Sequence, residues 1–557
     1  MSDPESDLTH FKTRGMQWAA TKAFGPALRE TILPHLDSLE DAGASLLKRT
    51  LTRSVHKLDA GGTTVFVKHH RIRSLKERLK YLVMRSRASA EWSASLAMRE
   101  LGVPAARALA FGERRVGGVL TEAVLVSEAI EGATPLNEAL ADADAKTGII
   151  ADVAKLVRNA LGRGVLHRDL HGGNILLAGG EYFFIDLHRL SIGQPVSRRK
   201  RIASIGQLLA LLGGRIDEND RAAFVGEYLG PGTPQAEIAE FARRVEEAAE
   251  RVRERRYTSR TKRCIKRSTG FRIERHAGMK IHRRADFAAE LVANAISQHE
   301  KNMAGDEGGR VLEHGRVLKR DRRARVSVVG LETPDGSRPA CVKEFVRPGL
   351  FRRIGDFFRG SRARMAWVGS NACRVRGIST PAALAIAEAG PRSYFITEFV
   401  EGACQLNDYA ADNGRPAGAE ATRRWRRFVV EAADFVRLLH SHRLRHLDLS
   451  AKNILVRERD GGWEFHLVDM SDVRLGRGPS LQEKIENLGQ LDQVYVMPSR
   501  TDRLRFYRRY SRGRTERDDR ELLAEINAIS RSRHEHWLTA GGGAEILEER
   551  ERQGKPV

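Results

Sequence analysis

One long stretch of this sequence occurs twice in the same chain, and a duplicated stretch of this length folds as two similar units. LLKRTLTRSV (46–55) returns as VLKRDRRARVSV (317–328), VFVKHH as ACVKEF, SRASAEW as SRARMAW, and LGVPAARALA as RGISTPAALA. LVSEAIEGA returns as FITEFVEGA, GVLHRDLHGGNILL as RLRHLDLSAKNILV, FFIDLHRL as HLVDMSDV, and RIASIGQLL as KIENLGQLD. The offset between matched residues drifts only by loop-sized amounts: 275 from Lys68 to Lys343, 270 from Glu128 to Glu398, 279 from Asp169 to Asp448, and 283 from Asp186 to Asp469. Eight segments in one order identify a tandem duplication and predict one domain over 1–255 and a second over 256–557.

Within each copy the pattern runs from strand-like to helix-like. Val55–Leu58 and Thr63–Lys68 flank an Asp-Ala-Gly-Gly turn, the signature of a hairpin. Ser86–Leu101 carries apolar residues at helical spacing and stops at Gly102-Val103-Pro104. A strand-like AVLVSEAI, a helical stretch over 145–161 and two apolar runs, NILL and YFFIDL, follow. The prediction is an α+β unit, a β-rich lobe followed by a helical one. The basic runs SRRKR (197–201), 251–284 and RLRFYRRYSRGR (503–514) are expected to be solvated helix faces and linkers, with 251–284 the connector between copies.

Composition narrows the class. Of 557 residues, 41% are hydrophobic and 30% charged, as in folded globular chains. Four cysteines without a CxxC pair exclude a disulfide framework or a structural zinc site, and reduced thiols are expected. No run near 18 apolar residues occurs and the first residues lack an apolar signal core, so a cytosolic protein is expected. The net charge of +23 suits a polyanionic partner such as nucleotide phosphate or an anionic membrane surface. A specific nucleic acid is not expected, because aromatics make up only 6% and no RNP-like or helix-turn-helix pattern appears.

The chemistry-bearing residues sit in HRDLHGGN and FFID. Asp169 and Asn174 are five apart on a predicted loop, and Asp186 ends the next strand; Asp448, Asn453 and Asp469 repeat the set. Phosphoryl transfer needs such groups: a carboxylate to take the proton of an attacking hydroxyl, an amide oxygen and a second carboxylate for Mg²⁺, and a lysine for the phosphates. Lys68 and Lys343, each ending a strand, suit the last task. A lone HxD followed by Asp is a weak signal, whereas two ordered copies with an upstream strand lysine are specific. His167 and His446 read as structural, bonded to nearby backbone, and His171 and His188 as loop residues that either reach substrate or metal or, the preferred reading, face solvent. Glu128 and Glu398 fall where the inter-lobe link should run, either beside an adenine or at a plain strand end. The repeated Gly-Gln-Leu (206–208, 489–491) reads as helix packing.

His167, Arg168, Asp169 and Asn174 match H-R-D-x-x-x-x-N, and in this the sequence resembles the protein-kinase-like superfamily. DLHGGN, the basic LKRTLTR segment, the AEW helix, the GVP stop and the absence of an APE-like segment after Asp186 are most similar to the lipopolysaccharide core (Kdo/heptose) kinases. The resemblance implies two tandem bilobal domains with ATP between the lobes, Asp169 as base, Asn174 and Asp186 as Mg²⁺ ligands, Lys68 as phosphate lysine and Glu91 as its helix partner. It implies Asp448, Asn453, Asp469 and Lys343 in the second copy, where Ala366 stands in place of Glu91 and Leu447 in place of Arg168. Neither copy has a G-x-G-x-x-G loop; Lys48, Arg49, Thr50 and Arg53, and in copy two Lys319, Arg320 and Arg325, are expected to cover the phosphates. The implied acceptor is a glycolipid or sugar of the lipopolysaccharide core or a related envelope glycan, reached by peripheral contact at the inner face of the cytoplasmic membrane. A protein Ser/Thr or small-molecule kinase would use the same residues, and a nucleotide-binding pseudokinase scaffold is the rival from another class.

Overall fold

Alternation of inward and outward side chains along the two strands of its Asp-Ala-Gly-Gly hairpin sets the faces of the first lobe. In a computed structural model, which describes residues 7–142, 145–193, 195–305, 311–312, 315–321, 324–333, 336–346, 360–414, 416–492, 499–511, 519–540 and 543–552, the chain divides into two units, Met1–Arg253 and Glu254–Val557. The first opens with strands β1 (Leu8–Thr13), β2 (Met16–Thr21), β3 (Ser45–Arg49), β4 (Arg53–Ala60), β5 (Thr63–Arg71), β6 (Ala108–Val116) and β7 (Val119–Glu128). They form one antiparallel sheet in the order β1-β2-β6-β7-β5-β4-β3. Val65 and Val67 of β5 enter a core with Trp18, Leu58, Val124 and Val126, so Lys68 between Val67 and His69 faces the other side. The β4–β5 turn needs Gly61 and Gly62, at φ +63° and +76°, and Gly62 N–H donates to Asp59 Oδ1 at 3.0 Å.

The helix Arg87–Glu100 is fixed at both ends. Ser86 Oγ accepts from Ser89 N–H at 3.0 Å, an N-cap, and Gly102 at φ +59° lets Val103 N–H return to Met98 O at 2.9 Å. In the helical lobe, Ile150, Val153, Val157 and Leu161 of Lys146–Gly162 pack with Ile205 and Leu208 of Arg198–Leu212, Phe224 of Glu218–Leu229, and Phe241 and Val245 of Gln235–Thr261.

The second unit repeats this plan. Its sheet runs Phe271–His276, Met279–Arg284, Ala383–Ala389, Arg392–Glu398, Gly336–Val346, Ala324–Thr333, Gly315–Arg320 and the two-residue Val311–Leu312. This corrects the reading of 251–284 as a connector: its last fourteen residues form an antiparallel hairpin, Phe271–His276 with Met279–Arg284, at the edge of the second sheet. The turn at Ala277-Gly278 (φ +48° and +74°) matches Arg14-Gly15 (φ +51° and +71°) between β1 and β2. The helix Ala289–Gly305 lays Val292, Ala295 and Ile296 over the outer face of that sheet, a position filled in the first unit by Phe24, Leu28, Ile32 and Leu39. All four cysteines are free thiols, and burial pushes Cys264 and Cys373 up to about 12.

Candidate active site

In the first unit β5 and the capped helix bring Lys68 Nζ within 2.5 Å of Glu91 Oε1, both side chains largely buried. Asp186 follows the strand Glu181–Phe184 in a left-handed backbone conformation (φ +59°), a strained state that persists where surrounding contacts enforce it. One ligand atom from each of Glu91, Asp186 and His188 lies within 4.8 Å of the other two. His188 is not the solvent-facing residue expected: its Nδ1 sits 2.9 Å from Asp186 Oδ1. That hydrogen bond holds the Asp186 carboxyl well below the usual carboxylate range; burial opposes it, and the charges of His188, Lys68 and Arg53 add to it.

The HRD loop is braced from below. Asp169 N–H donates to His167 Nδ1 at 3.2 Å, so the ring carries its proton on Nε2 and donates it to Ile185 O at 3.2 Å. Burial depresses the pKa of His167, against the Ile185 hydrogen bond, so the ring is a neutral strut. Asn174 Nδ2 donates to Asp169 O at 2.9 Å, and Asp169 Oδ2 accepts from Arg189 Nη1 at 2.9 Å while the carboxylate keeps about a third of its surface open. The amide oxygen of Asn174 and the carboxylate of Asp186 are hard oxygen donors, a set suited to Mg²⁺.

Beside Lys68 stand Arg53 and His70, opposite one another in the β4–β5 register. Burial, then Arg53, Arg87, Lys68 and His188, push His70 down to about 3, leaving a neutral ring among cations. Lys48 and Arg49 project from the edge strand β3. Glu128 and Glu398 end the strands β7 and Arg392–Glu398, their N–H groups donating to Arg107 O (2.8 Å) and Ala382 O (2.9 Å) and their exposed carboxylates lying 3.9 Å from Arg107 and 3.8 Å from Arg284.

The second unit assembles the same frame with different partners. Ser361 caps the helix Arg362–Val375 as Ser86 caps its counterpart, which places buried Ala366 at the position of Glu91. Lys343 Nζ pairs instead with Asp469 Oδ1 at 2.9 Å. Burial raises the pKa of Asp469, but Lys343 and Ser471 outweigh it and hold the carboxyl below its ordinary value. His446 repeats the strut, accepting from Asp448 N–H at 3.3 Å and donating to Val468 O at 3.2 Å. Asn453 Nδ2 donates to Asp448 O at 2.8 Å and to Asp448 Oδ2 at 3.2 Å, while Lys452 (3.4 Å) and Arg533 (3.5 Å) flank that carboxylate. The expectation that Arg325 covers phosphate is corrected: in register it faces Glu344, to which it pairs at 3.5 Å, on the side of the sheet opposite Lys343. Lys319 pairs with Asp321 at 2.9 Å, and Arg320 donates to Met303 O at 2.8 Å.

Sequence reasoning missed Arg189 and the glutamine of Gly-Gln-Leu. Gln207 Nε2 donates to Arg168 O at 3.4 Å, and Gln490 donates to Leu447 O at 3.1 Å while accepting from Leu449 N–H at 2.8 Å, so each holds its HRD loop in place. The signal was available in the duplication: glutamine recurs at both positions, and the arginine three after Asp186 becomes Asp472 three after Asp469.

The profile of the lipopolysaccharide kinase (Kdo/WaaP) family matches residues 40–228 and 371–524. The chain is 30% identical over 169 residues to the lipopolysaccharide core heptose(I) kinase WaaP of Escherichia coli, covering 27% of this chain and 64%, just under two thirds, of that protein. It is 28% identical over 199 residues to the protein of the same name from strain K12, covering 32% of this chain and 75% of that one. A solved structure of WaaP in complex with acyl carrier protein aligns at 22% identity and a TM-score of 0.30, over 37% of this chain and 88% of the other.

Proposed function

Because the chain belongs to the lipopolysaccharide kinase (Kdo/WaaP) family, we propose that its first unit transfers the γ-phosphate of ATP to a hydroxyl of a lipopolysaccharide-core or related envelope sugar. The observation that carries this reading is the convergence of a Lys68–Glu91 pair, Asp186, Asn174 and a partly open Asp169 from four separate stretches of the first unit. Asp169 takes the hydroxyl proton as the acceptor oxygen bonds to the γ-phosphorus; the bond from that phosphorus to the bridging oxygen breaks, and ADP departs. Lys68, held by Glu91, would meet the α/β-phosphates. Asn174 and Asp186 would hold Mg²⁺, which supplies charge neutralisation at the phosphates when bound. Arg189 is a positioning residue, fixing the Asp169 carboxylate through one charge-assisted hydrogen bond.

A second reading applies to the second unit, a nucleotide-binding scaffold, favoured by Ala366 in place of Glu91 and Asp472 in place of Arg189. Among the described residues no helix is long and apolar enough to cross a membrane, and action on a glycolipid acceptor would take place by peripheral contact at the inner face of the cytoplasmic membrane.

Mg²⁺-dependent ATP turnover with core oligosaccharide tests the assignment. Asp169→Asn is expected to lower it about 10³-fold, and Asp448→Asn by less than about twofold, given the charged partners crowding that carboxylate. A loss that follows Asp448 would move the chemistry to the second unit. Transfer to a protein hydroxyl with no sugar product would favour the protein-kinase alternative.

A further inference from the structure

The helix Leu75–Val83 is mounted with its apolar stripe toward solvent. At about 100° per residue, Leu75, Leu79, Leu82 and Val83 fall within one arc about 100° wide, and all four are exposed, Val83 at 92% and Leu75 at 76%. The opposite side is the anchored one: Tyr81 is buried with Ile72 and Leu120, and Arg78 Nε donates to Ile72 O at 3.3 Å. Met84, also exposed, extends the stripe past the helix end. Of the thirteen large apolar side chains exposed among the described residues, eight lie between residues 46 and 84. A helix stabilised only by folding within its own domain would place that stripe inward.

The setting is strongly basic. Residues 71–87 hold seven Lys or Arg and one Glu, and Arg71, Arg73, Lys80 and Arg85 around the stripe are exposed. Arg71 N–H donates to Thr52 O at 3.0 Å, which puts the tip carrying Leu51, 86% exposed, beside the chain that enters the helix. Arg53 and His70, one residue inward on β4 and β5, are the groups whose surroundings include Lys68, Asp186 and His188. The apolar, basic edge therefore borders the end of the cleft where phosphate would lie.

We propose that the Leu75–Met84 face is an interfacial anchor that docks the first unit on an anionic bilayer and brings the mouth of the cleft to the plane in which a lipid-anchored acceptor is held. Apolar side chains enter the acyl boundary while the flanking lysines and arginines meet anionic headgroups. A second copy of this chain is the poorer occupant, because two such faces would bring like charges together in a protein already at +23. The purpose assigned to the anchor rests on the phosphotransfer reading; the docking itself does not.

The test is co-sedimentation of the full chain with vesicles of phosphatidylglycerol and phosphatidylcholine, against phosphatidylcholine alone, in 150 mM salt. The wild type is expected to partition to the anionic vesicles, and Leu79→Asp/Leu82→Asp to lower that partition at least tenfold while binding a fluorescent ATP analogue as before. Wild-type protein that ignores anionic vesicles, or a double variant that binds them equally well, overturns the anchor. So does a wild-type dimer that the double substitution turns into monomer with no change at the vesicle. The two readings fail separately: loss of vesicle binding in the variant with no Asp169-dependent turnover in the wild type would keep the anchor and remove the kinase, and the converse would keep the kinase alone.

Discussion

The two clefts of this chain share a backbone and differ in the side chains that complete it. The first unit has Arg53, His70, Glu91 and His188 around the strand lysine and Arg189 on Asp169; at the matching positions the second has Ala324, Phe345, Ala366, Ser471 and Asp472. What both retain is the lysine, the two aspartates, the asparagine and the histidine strut, the set proposed above to hold phosphate and metal. Of what only the first retains, Glu91 and Arg189 hold the lysine and the Asp169 carboxylate, and Arg53 adds positive charge. With Glu91 present, Lys68 has a partner on another element and Asp186 is bonded to His188. Without it, Lys343 falls onto Asp469, so the lysine and the metal-ligand candidate neutralise each other. At the base, Arg189 on Asp169 is replaced by an aspartate, and Lys452 and Arg533 supply the positive charge from other directions. A duplicated site can thus keep its fold and binding frame while losing the contacts that orient it.

The largest effect expected from breaking this contrast within the first cleft, after Asp169 itself, comes at Glu91. Glu91→Ala makes the first cleft resemble the second and frees Lys68 to fall toward Asp186. Misplacing a phosphate-binding group by about 1 Å costs about 10²-fold in turnover, and affinity for ATP should fall far less. Rates measured with saturating ATP and Mg²⁺ check this; turnover within a factor of two of wild type would mean that the pair is structural and that the two clefts do not differ for this reason.

Acidification offers a contrast in stability. His440 in the second unit is buried, donates through Nε2 to Asn487 Oδ1 (3.3 Å) and, as the neutral ring, accepts from Tyr510 Oη through Nδ1 (2.7 Å). Burial pushes it down to about 4, against the Asn487 hydrogen bond. Its folded value lies below that of an unfolded histidine, so between about pH 6.5 and 4 the unfolded state holds the extra proton and stability falls as pH falls. Above about pH 6.5 both states are neutral and the contribution is constant. Denaturation at pH 7.5 and 5 should show the second unit losing about 2 kcal/mol on this account. His440→Leu, less stable at pH 7.5 because it loses two hydrogen bonds, should narrow the gap between the two pH values; an unchanged gap would assign the acid sensitivity elsewhere in the unit, for instance to His282, which burial also pushes down to about 4.

The duplication made most of the fold legible. Strand lysines, capped helices, the glycine stops and the HRD loops all fall in matched segments, because the residues that form them are local: Ser86 and Ser361 cap through their own side chains three residues on. The hairpin Phe271–His276/Met279–Arg284 was not legible because its sequence barely resembles β1 and β2. A two-residue turn and alternate burial suffice to fold it, and its run of arginines looks like a linker. Arg325 was misplaced for a related reason: a one-residue difference in register moves a side chain to the other face of a sheet, and only the pairing with Glu344 fixes which face it takes. Arg533 reaches Asp448 from 85 residues away, a contact that no local pattern encodes.

The smallest expected effect separates the units at their repeated Gly-Gln-Leu. A Cβ at Gly206 would stand 2.7 Å from Ala248 Cβ and 2.9 Å from both Ala249 N and Val245 O, so it meets backbone of the helix Gln235–Thr261 that cannot rotate away. At Gly489 the collision is with Ile529 Cγ2 at 2.6 Å and Cβ at 2.8 Å, and the nearest backbone atom, Ile526 O, is 3.3 Å off, so relief needs a small shift of the helix that carries Ile529 as well as a turn of the side chain. Overpacking costs about 1–3 kcal/mol; Gly206→Ala, which meets two backbone atoms below 3 Å, should cost more than Gly489→Ala, which meets none. Because Gln207 and Gln490 are the next residues and hold the HRD loops, the same substitutions probe how tightly each loop is tied to helix packing. Gly206→Ala should also lower turnover severalfold through Asp169, whereas Gly489→Ala should leave it unchanged. Equal destabilisation by both would show that the helix under Gly206 shifts as freely as the one that carries Ile529, and that the two loops are supported alike.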